Sequence, residues 1–222
     1  MINIYETKIM KKYLQNSQYD KNPHFKTHGI KTRNHITIVG PTSSGKTNFL
    51  CNLLNQMTDT FNELIVFTTV TDEPIYSMLE AEFDAQIHNY DELYSWDKLE
   101  PKYNKLVIFD DFITLPAKKM VVIETYAILS RKYGASCVFI TQNYFSLRPV
   151  LRNQTNYIVL LKMTNEKNLA SIASQFALLD RVTLKNIIKD ATKEKFNVCI
   201  LDLLNARISK NFGNYYEVDD ED

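Results

Sequence analysis

The chain has 222 residues, 45% of them apolar, enough for one sizeable core that buries roughly 70% of the unfolded surface. Its 26 Lys and Arg balance 26 Asp and Glu, so the net charge demands neither a nucleic acid nor a membrane as partner. No apolar run reaches the ~18 residues of a membrane span, and Asn3, Glu6 and Lys8 interrupt the N-terminus where a signal peptide would be apolar.

Charge is uneven along the chain. Residues 1–34 are polar and basic and read as a leader, with Lys8, Lys11, Lys12, Lys21, Lys26, Lys31 and Arg33 against Glu6 and Asp20. Residues 35–210 read as the folded domain, and 211–222 as a solvated acidic tail ending Asp219, Asp220, Glu221, Asp222. Cys51, Cys137 and Cys199 are odd in number, far apart and set among apolar neighbours, which suits reduced thiols and an intracellular, reducing location. His24, His28, His35 and His88 show no zinc spacing and read as surface or loop residues.

In chain order, "HITIVG" (35–40) is a short buried strand, and Phe49, Leu50, Leu53, Leu54 and Met57 mark one face of the helix after it. "ELIVFTTV" (63–70) is a second strand, followed by helices over 73–83 and 91–99. "NKLVIFDD" (104–111) is a third strand ending in two carboxylates, and a helix over 117–132 closes at Gly134. "SCVFITQN" (136–143) and "NYIVLLKM" (156–163) are further strands; helices over 165–176 and 179–190 precede the last, "FNVCILDLL" (196–204). Nearly unbroken apolar strands alternating with helices predict a mostly parallel sheet covered on both faces. Ligands of such sheets sit at the carboxyl ends of the strands.

Polar residues of chemical interest fall at those ends. Gly40-Pro41-Thr42-Ser43-Ser44-Gly45-Lys46-Thr47 matches G-x-x-x-x-G-K-[ST] at every defined position, between a strand and a helix. Backbone N–H groups of such a loop wrap phosphates at a helix N-terminus, where the dipole favours anions. Lys46 would neutralise the β/γ oxygens of ATP and Thr47 would offer a hydroxyl to Mg²⁺. Two of only five glycines fall in this loop, so a chance match in a glycine-rich stretch is excluded.

Leu106 to Phe109 followed by Asp110 and Asp111 matches the Walker B pattern. Asp110 is then the magnesium partner and Asp111 the group that orients or deprotonates the attacking water. Gln142, in the tip Thr141-Gln142-Asn143, suits a contact to both the γ-phosphate and the lytic water, or simply caps a strand. Arg131, at a predicted helix end, suits either the helix dipole or an arginine finger for a neighbouring subunit, an effect of roughly 10³–10⁵ in rate.

Together, "GPTSSGKT", "LVIFDDF" and "SRKYGASCVFITQNYFSLRPVLRNQTNYIVLLK" resemble the genome-packaging ATPases of large DNA viruses and virophages, the poxvirus-type branch of the FtsK/HerA superfamily. The likeness runs from residue 34 to about 180. It implies a RecA/FtsK-like P-loop NTPase, a three-layer α/β sandwich in a homo-oligomeric ring that drives double-stranded DNA into a preformed capsid, and a location in the virion or the viral factory. Viral capsid proteins are then possible partners. The resemblance places a trans-acting arginine at Arg131. One departure is Asp111, where the pattern usually has Glu; Glu124 is an alternative carboxylate, read as a helix-surface residue. Lys118, Lys119, Lys132, Arg148 and Arg152 are the basic candidates for a DNA-facing surface, though no aromatic-basic interleaving marks a groove.

Two other readings share the loop. A P-loop kinase would transfer the phosphoryl group to an acceptor, but residues 60–100 lack the arginines of a kinase lid. A nucleotide-gated assembly scaffold would bind ATP without turnover, with Asp111 as the feature in its favour.

Overall fold

The computed structural model describes residues 21–176 and 178–217. The leader residues Lys8, Lys11 and Lys12 and the acidic run 219–222 lie outside them. Among the described residues nine strands form one sheet: β1 (Ile36–Val39), β2 (Glu63–Thr68), β3 (Ala85–Asn89), β4 (Lys105–Phe109), β5 (Ala135–Thr141), β6 (Tyr157–Leu160), β7 (Cys199–Asp202), β8 (Arg207–Lys210) and β9 (Asn214–Tyr215). Their spatial order is β3-β2-β4-β5-β1-β6-β7-β8-β9. The first six in that order run parallel, and β7, β8 and β9 add antiparallel at one side.

The helices are α1 (Phe25–His28), α2 (Lys46–Gln56), α3 (Pro74–Phe83), α4 (Ala117–Leu129), α5 (Pro149–Gln154), α6 (Glu166–Gln175) and α7 (Arg181–Ala191). Local chemistry sets their ends. Pro74 opens α3 at a position that needs no N–H, and the side chains of Asn165 and Asp180 accept the first free N–H groups of α6 and α7. Gly134, at φ 74, closes the short 3₁₀ turn Ser130–Tyr133 after α4.

Alternate residues of each strand feed two cores, one per sheet face. Ile36, Ile38, Val66, Leu106, Ile108 and Val138 join Phe49, Leu50, Leu53 and Leu54 of α2. Val39, Phe67, Val107, Phe109, Phe139 and Ile158 join Ile123 and Tyr126 of α4, Leu169 of α6 and Leu184 of α7. The result is the three-layer α/β sandwich with a mostly parallel sheet that the apolar strand pattern predicts.

Several details differ from the sequence reading. Residues 91–99 are no helix but two 3₁₀ turns, Tyr90–Glu92 and Trp96–Lys98; the side chain of Asn89 caps the first by accepting the Asp91 N–H. Strand β3 is not predicted from sequence because only Ala85 in it is buried, β8 because its sequence RISK has charged residues at both ends and one apolar residue, and β9 because it has two exposed residues. His28 and His35 are core residues, contrary to their surface assignment: His35 is fully buried, one ring nitrogen 2.9 Å from the Ala127 carbonyl and the other accepting the Cys137 N–H at 3.0 Å. Burial holds both imidazoles down at about 4. Residues 22–34 pack on the domain, with Ile30 buried, the Lys31 N–H bonded to the Tyr157 hydroxyl and the Arg33 N–H to Ser136 Oγ. All three cysteines are free, with Cys137 and Cys199 buried. Among the described residues no helix is long and apolar enough to cross a membrane.

Candidate active site

Strand register brings the separated motifs to one edge. Val39 pairs with Thr141, and Phe109 with Phe139, so Gly40, Asp110 and Gln142 all emerge at the carboxyl ends of adjacent parallel strands. Strand β5, which carries Gln142, stands between the loop strand β1 and the Asp110 strand β4. The Gly40 N–H donates to the Thr141 carbonyl at 3.1 Å, tying the loop to the tip of that middle strand.

The loop needs its glycines. A Cβ at Gly40 would lie 2.4 Å from Ser44 Oγ, and Gly45 has φ +101. Ser43 also takes a left-handed conformation, at φ 62. Lys46 Nζ curls over the loop and donates to the carbonyls of Gly40 and Pro41 at 2.9 and 3.0 Å. Ser44 Oγ is buried and lacks a hydrogen-bond partner among the described residues, as suits a loop whose polar groups await an anionic ligand. Burial lowers the Lys46 pKa, while the charges of Asp110 and Asp111 oppose that shift.

Asp110 is held on several sides. Its Oδ2 accepts the Tyr76 hydroxyl at 3.1 Å, its Oδ1 accepts the Asp111 N–H at 2.9 Å, and its carbonyl accepts the Tyr90 hydroxyl at 2.7 Å. Burial and the neighbouring Asp111 charge push its pKa up to about 6, against the pull of the Tyr76 hydroxyl, the Asp111 N–H and Lys46. A carboxylate so placed gains from a nearby cation. Asp110 with the Thr47 hydroxyl is a donor set that fits Mg²⁺, which keeps waters and substrate phosphates in its shell rather than an all-protein cage. Among the described residues no three His, Cys, Asp or Glu side chains cluster as such a cage.

Asp111 is exposed, in a left-handed conformation at φ 51, and it shares a 480 Å³ cavity with Thr69, Thr114, Gln142, Asn143 and Ser146. Gln142 also lines a smaller 70 Å³ cavity with Pro41 of the loop. It therefore stands between the phosphate loop and Asp111. A roomier groove of 650 Å³, lined by Cys51, Met57, Asp59 and Phe83 among others, is reached by none of these groups, so chemistry rather than volume marks the site. Glu124 lies away from it, paired with Arg148 at 3.3 Å. Arg131 is exposed beside the amino end of β5, its Nη2 3.4 Å from Gln154 Oε1. Sequence reasoning missed Tyr76 and Tyr90, which look like ordinary amphipathic positions; only the tertiary fold turns their hydroxyls to Asp110.

A protein-family model described as "Poxvirus A32 protein" matches residues 22–220. The chain belongs to this family. No match was found among curated protein sequences. Among solved structures, this A32-family chain is similar to the DNA-packaging ATPase B204 of Sulfolobus turreted icosahedral virus, with TM-score 0.60 and 15% identity over 82% of this chain and 98% of that one. The genome-packaging NTPase B204 of Sulfolobus turreted icosahedral virus 2, in complex with AMPPCP, gives TM-score 0.60 and 15% identity over 81% and 97%. EssC (ATPases 2 and 3) from Geobacillus thermodenitrificans gives 0.58 and 13% over 86% and 41%. At such identities the likeness is one of fold.

Proposed function

We propose that the chain is an ATP-hydrolysing motor that moves double-stranded DNA, works as a homo-oligomeric ring and fills a preformed viral capsid. The observation that carries it is the placement of β5 between β1 and β4, which sets the Gln142 amide between the phosphate loop and Asp111. A hydrolase needs an oriented water at that point, and a strand inserted there with a polar tip distinguishes P-loop motors from P-loop kinases.

In this reading the loop N–H groups and Lys46 hold the phosphates of ATP and offset charge that develops on the β/γ oxygens. Thr47 and Asp110 would hold Mg²⁺, which when bound would neutralise phosphate charge. Asp111 and Gln142 orient the attacking water, and Asp111 accepts its proton. The shorter Asp arm is helped by its exposed, left-handed perch, which projects it into the cavity. Arg131 serves the site of the next subunit. The capsid proteins as partners, and the virion or viral factory as location, belong to the same proposal.

DNA contacts would be phosphate-directed and salt-sensitive. Of the basic candidates, Lys119 pairs with Asp91, Arg148 with Glu124, and Arg152 lies over the Tyr144 and Phe145 rings, while Lys118 and Lys132 are exposed. The test is phosphate release with and without double-stranded DNA across a salt series. Release that rises with DNA and falls back with salt supports the motor. DNA-independent transfer to a small acceptor, or tight ATP binding without turnover, overturns it.

A further inference from the structure

Phe196 sits on the flank of the phosphate loop in a conformation that its own backbone resists. Its φ is 70, in the left-handed region that bulky L-residues rarely enter. Its side chain is 49% exposed. The ring nonetheless lies hard against the loop: a Cβ built on Gly45 would fall 2.7 Å from Phe196 Cδ1. Leu161, after β6, lines the same spot.

The surrounding turn is over-determined in a way that keeps the ring there. The Asn197 N–H bonds to the Glu194 carbonyl at 3.3 Å. Asn211 binds Asn197 Oδ1 through Nδ2 and takes the Val198 N–H on Oδ1, both at 3.0 Å. Lys162, from the loop after β6, donates to the Lys193 carbonyl at 3.3 Å. Strain maintained by such a network is typical of ligand clamps. Core packing does not explain it, because half of the ring faces solvent and the exposed Lys195 ammonium lies 4.8 Å from the ring centroid. That face is held by an exchangeable cation rather than by apolar neighbours.

We propose that Phe196 is the stacking platform for the base of the bound nucleoside triphosphate, with Lys195 beside it. The inference rests on the reading of the loop as a triphosphate cradle and deepens it. With Lys46 and Thr47 taking the phosphate end, the ribose and base must leave the loop on a flank, and Gly45 with Phe196 forms one with an aromatic face. Stacking accepts any π-face, so this residue supplies affinity for a base and for the larger purine faces most of all.

The test is calorimetric titration of the full chain with ATP and, as a probe that has the phosphates and no base, inorganic tripolyphosphate. Phe196→Ala and Phe196→Leu should each weaken ATP binding by roughly 5- to 150-fold, the span of one base–aromatic stack, while tripolyphosphate binding stays within about twofold. Phe196→Tyr should bind ATP as the parent does. Leu keeps an apolar cover on the loop, so it reads out stacking even where the Ala variant fails to fold. Unchanged ATP affinity in the Leu variant overturns the proposal, as does an equal loss for ATP and tripolyphosphate, which would make the ring a prop for the loop. A parent chain that binds tripolyphosphate as tightly as ATP overturns the base platform and leaves the phosphate cradle standing. One that binds neither overturns the cradle itself.

Discussion

Arg131→Ala is the perturbation that separates a motor completed by its neighbour from a self-sufficient one. Arg131 precedes β5, whereas Gln142 follows it, so the seven residues of Ala135–Thr141 lie between them. At about 3.3 Å per residue the strand holds them ~20 Å apart, well beyond the reach of an arginine side chain. Its charge is felt instead by His35 and Cys137 at the amino ends of β1 and β5. The guanidinium therefore cannot act on its own subunit's site. As a finger on the next subunit, its loss should leave ATP affinity near the parent value and lower turnover by roughly 10³–10⁵. Lys46→Ala removes the complementary half. In a random equal mixture of the two variants, an interface works only where an intact Lys46 meets an intact Arg131, about one interface in four whatever the ring size, so turnover should recover to about a quarter of the parent rate. Steady-state phosphate release on the single variants and on co-refolded mixtures measures this. Normal hydrolysis by Arg131→Ala, or mixtures no faster than their components, would refute the reasoning.

Other residues give narrower tests. Gln142→Ala should lower kcat by roughly 10²–10³, the usual cost of one preorganised polar contact, with little change in ATP affinity measured by titration. Tyr76→Phe removes the hydroxyl from Asp110 Oδ2 and should raise the Mg²⁺ concentration for half-maximal turnover by roughly tenfold, leaving saturated turnover nearly intact. His35 should make the fold acid-sensitive. The unfolded chain protonates this imidazole near 6.5 and the folded chain only at about 4. Stability is therefore full above the unfolded value and falls with pH through that window, by a total on the order of 3 kcal/mol. Urea unfolding midpoints at pH 7, 6, 5 and 4 should decline more steeply for the parent than for His35→Gln, and parallel profiles would exclude the assignment.

How far the sequence discloses this molecule depends on how local each determinant is. The loop is legible because all of its chemistry lies in eight consecutive residues, Gly40 to Thr47. Asp110 and Gln142 are legible one step further, because parallel strands buried on both faces are apolar throughout and a polar tip stands out. Which strands are neighbours is not legible. The pairing of β1 with β5 joins residues about a hundred positions apart, and together with the β4–β5 pairing it decides that Gln142 comes between the loop and Asp111. His35 was misread for the same reason: its acceptor contact and its donor contact come from Ala127 and Cys137, so the sequence around it shows only a polar residue at a strand start. Phe196 reads as the first residue of an apolar strand, yet β7 begins at Cys199 and Phe196 is a left-handed turn residue, a conformation that no residue type at that position signals.

The two ends of the parallel strands carry unlike chemistry, and that asymmetry constrains assembly. Asp110, Gln142 and the loop that begins at Gly40 all lie at the carboxyl ends, while Arg131 stands at the amino end of β5. If Arg131 serves a neighbour, the amino-end surface of one subunit must meet the carboxyl-end surface of the next. Such an interface is heterologous, and a two-fold dimer, which sets a surface patch against its own copy, cannot make it. Head-to-tail contacts of this kind close into rings when the rotation between subunits permits and otherwise grow into filaments. If the finger is real, a ring is the closed assembly in which every subunit both receives and donates an arginine, and the position of Arg131 on the fold, rather than any symmetry of the sequence, would select it.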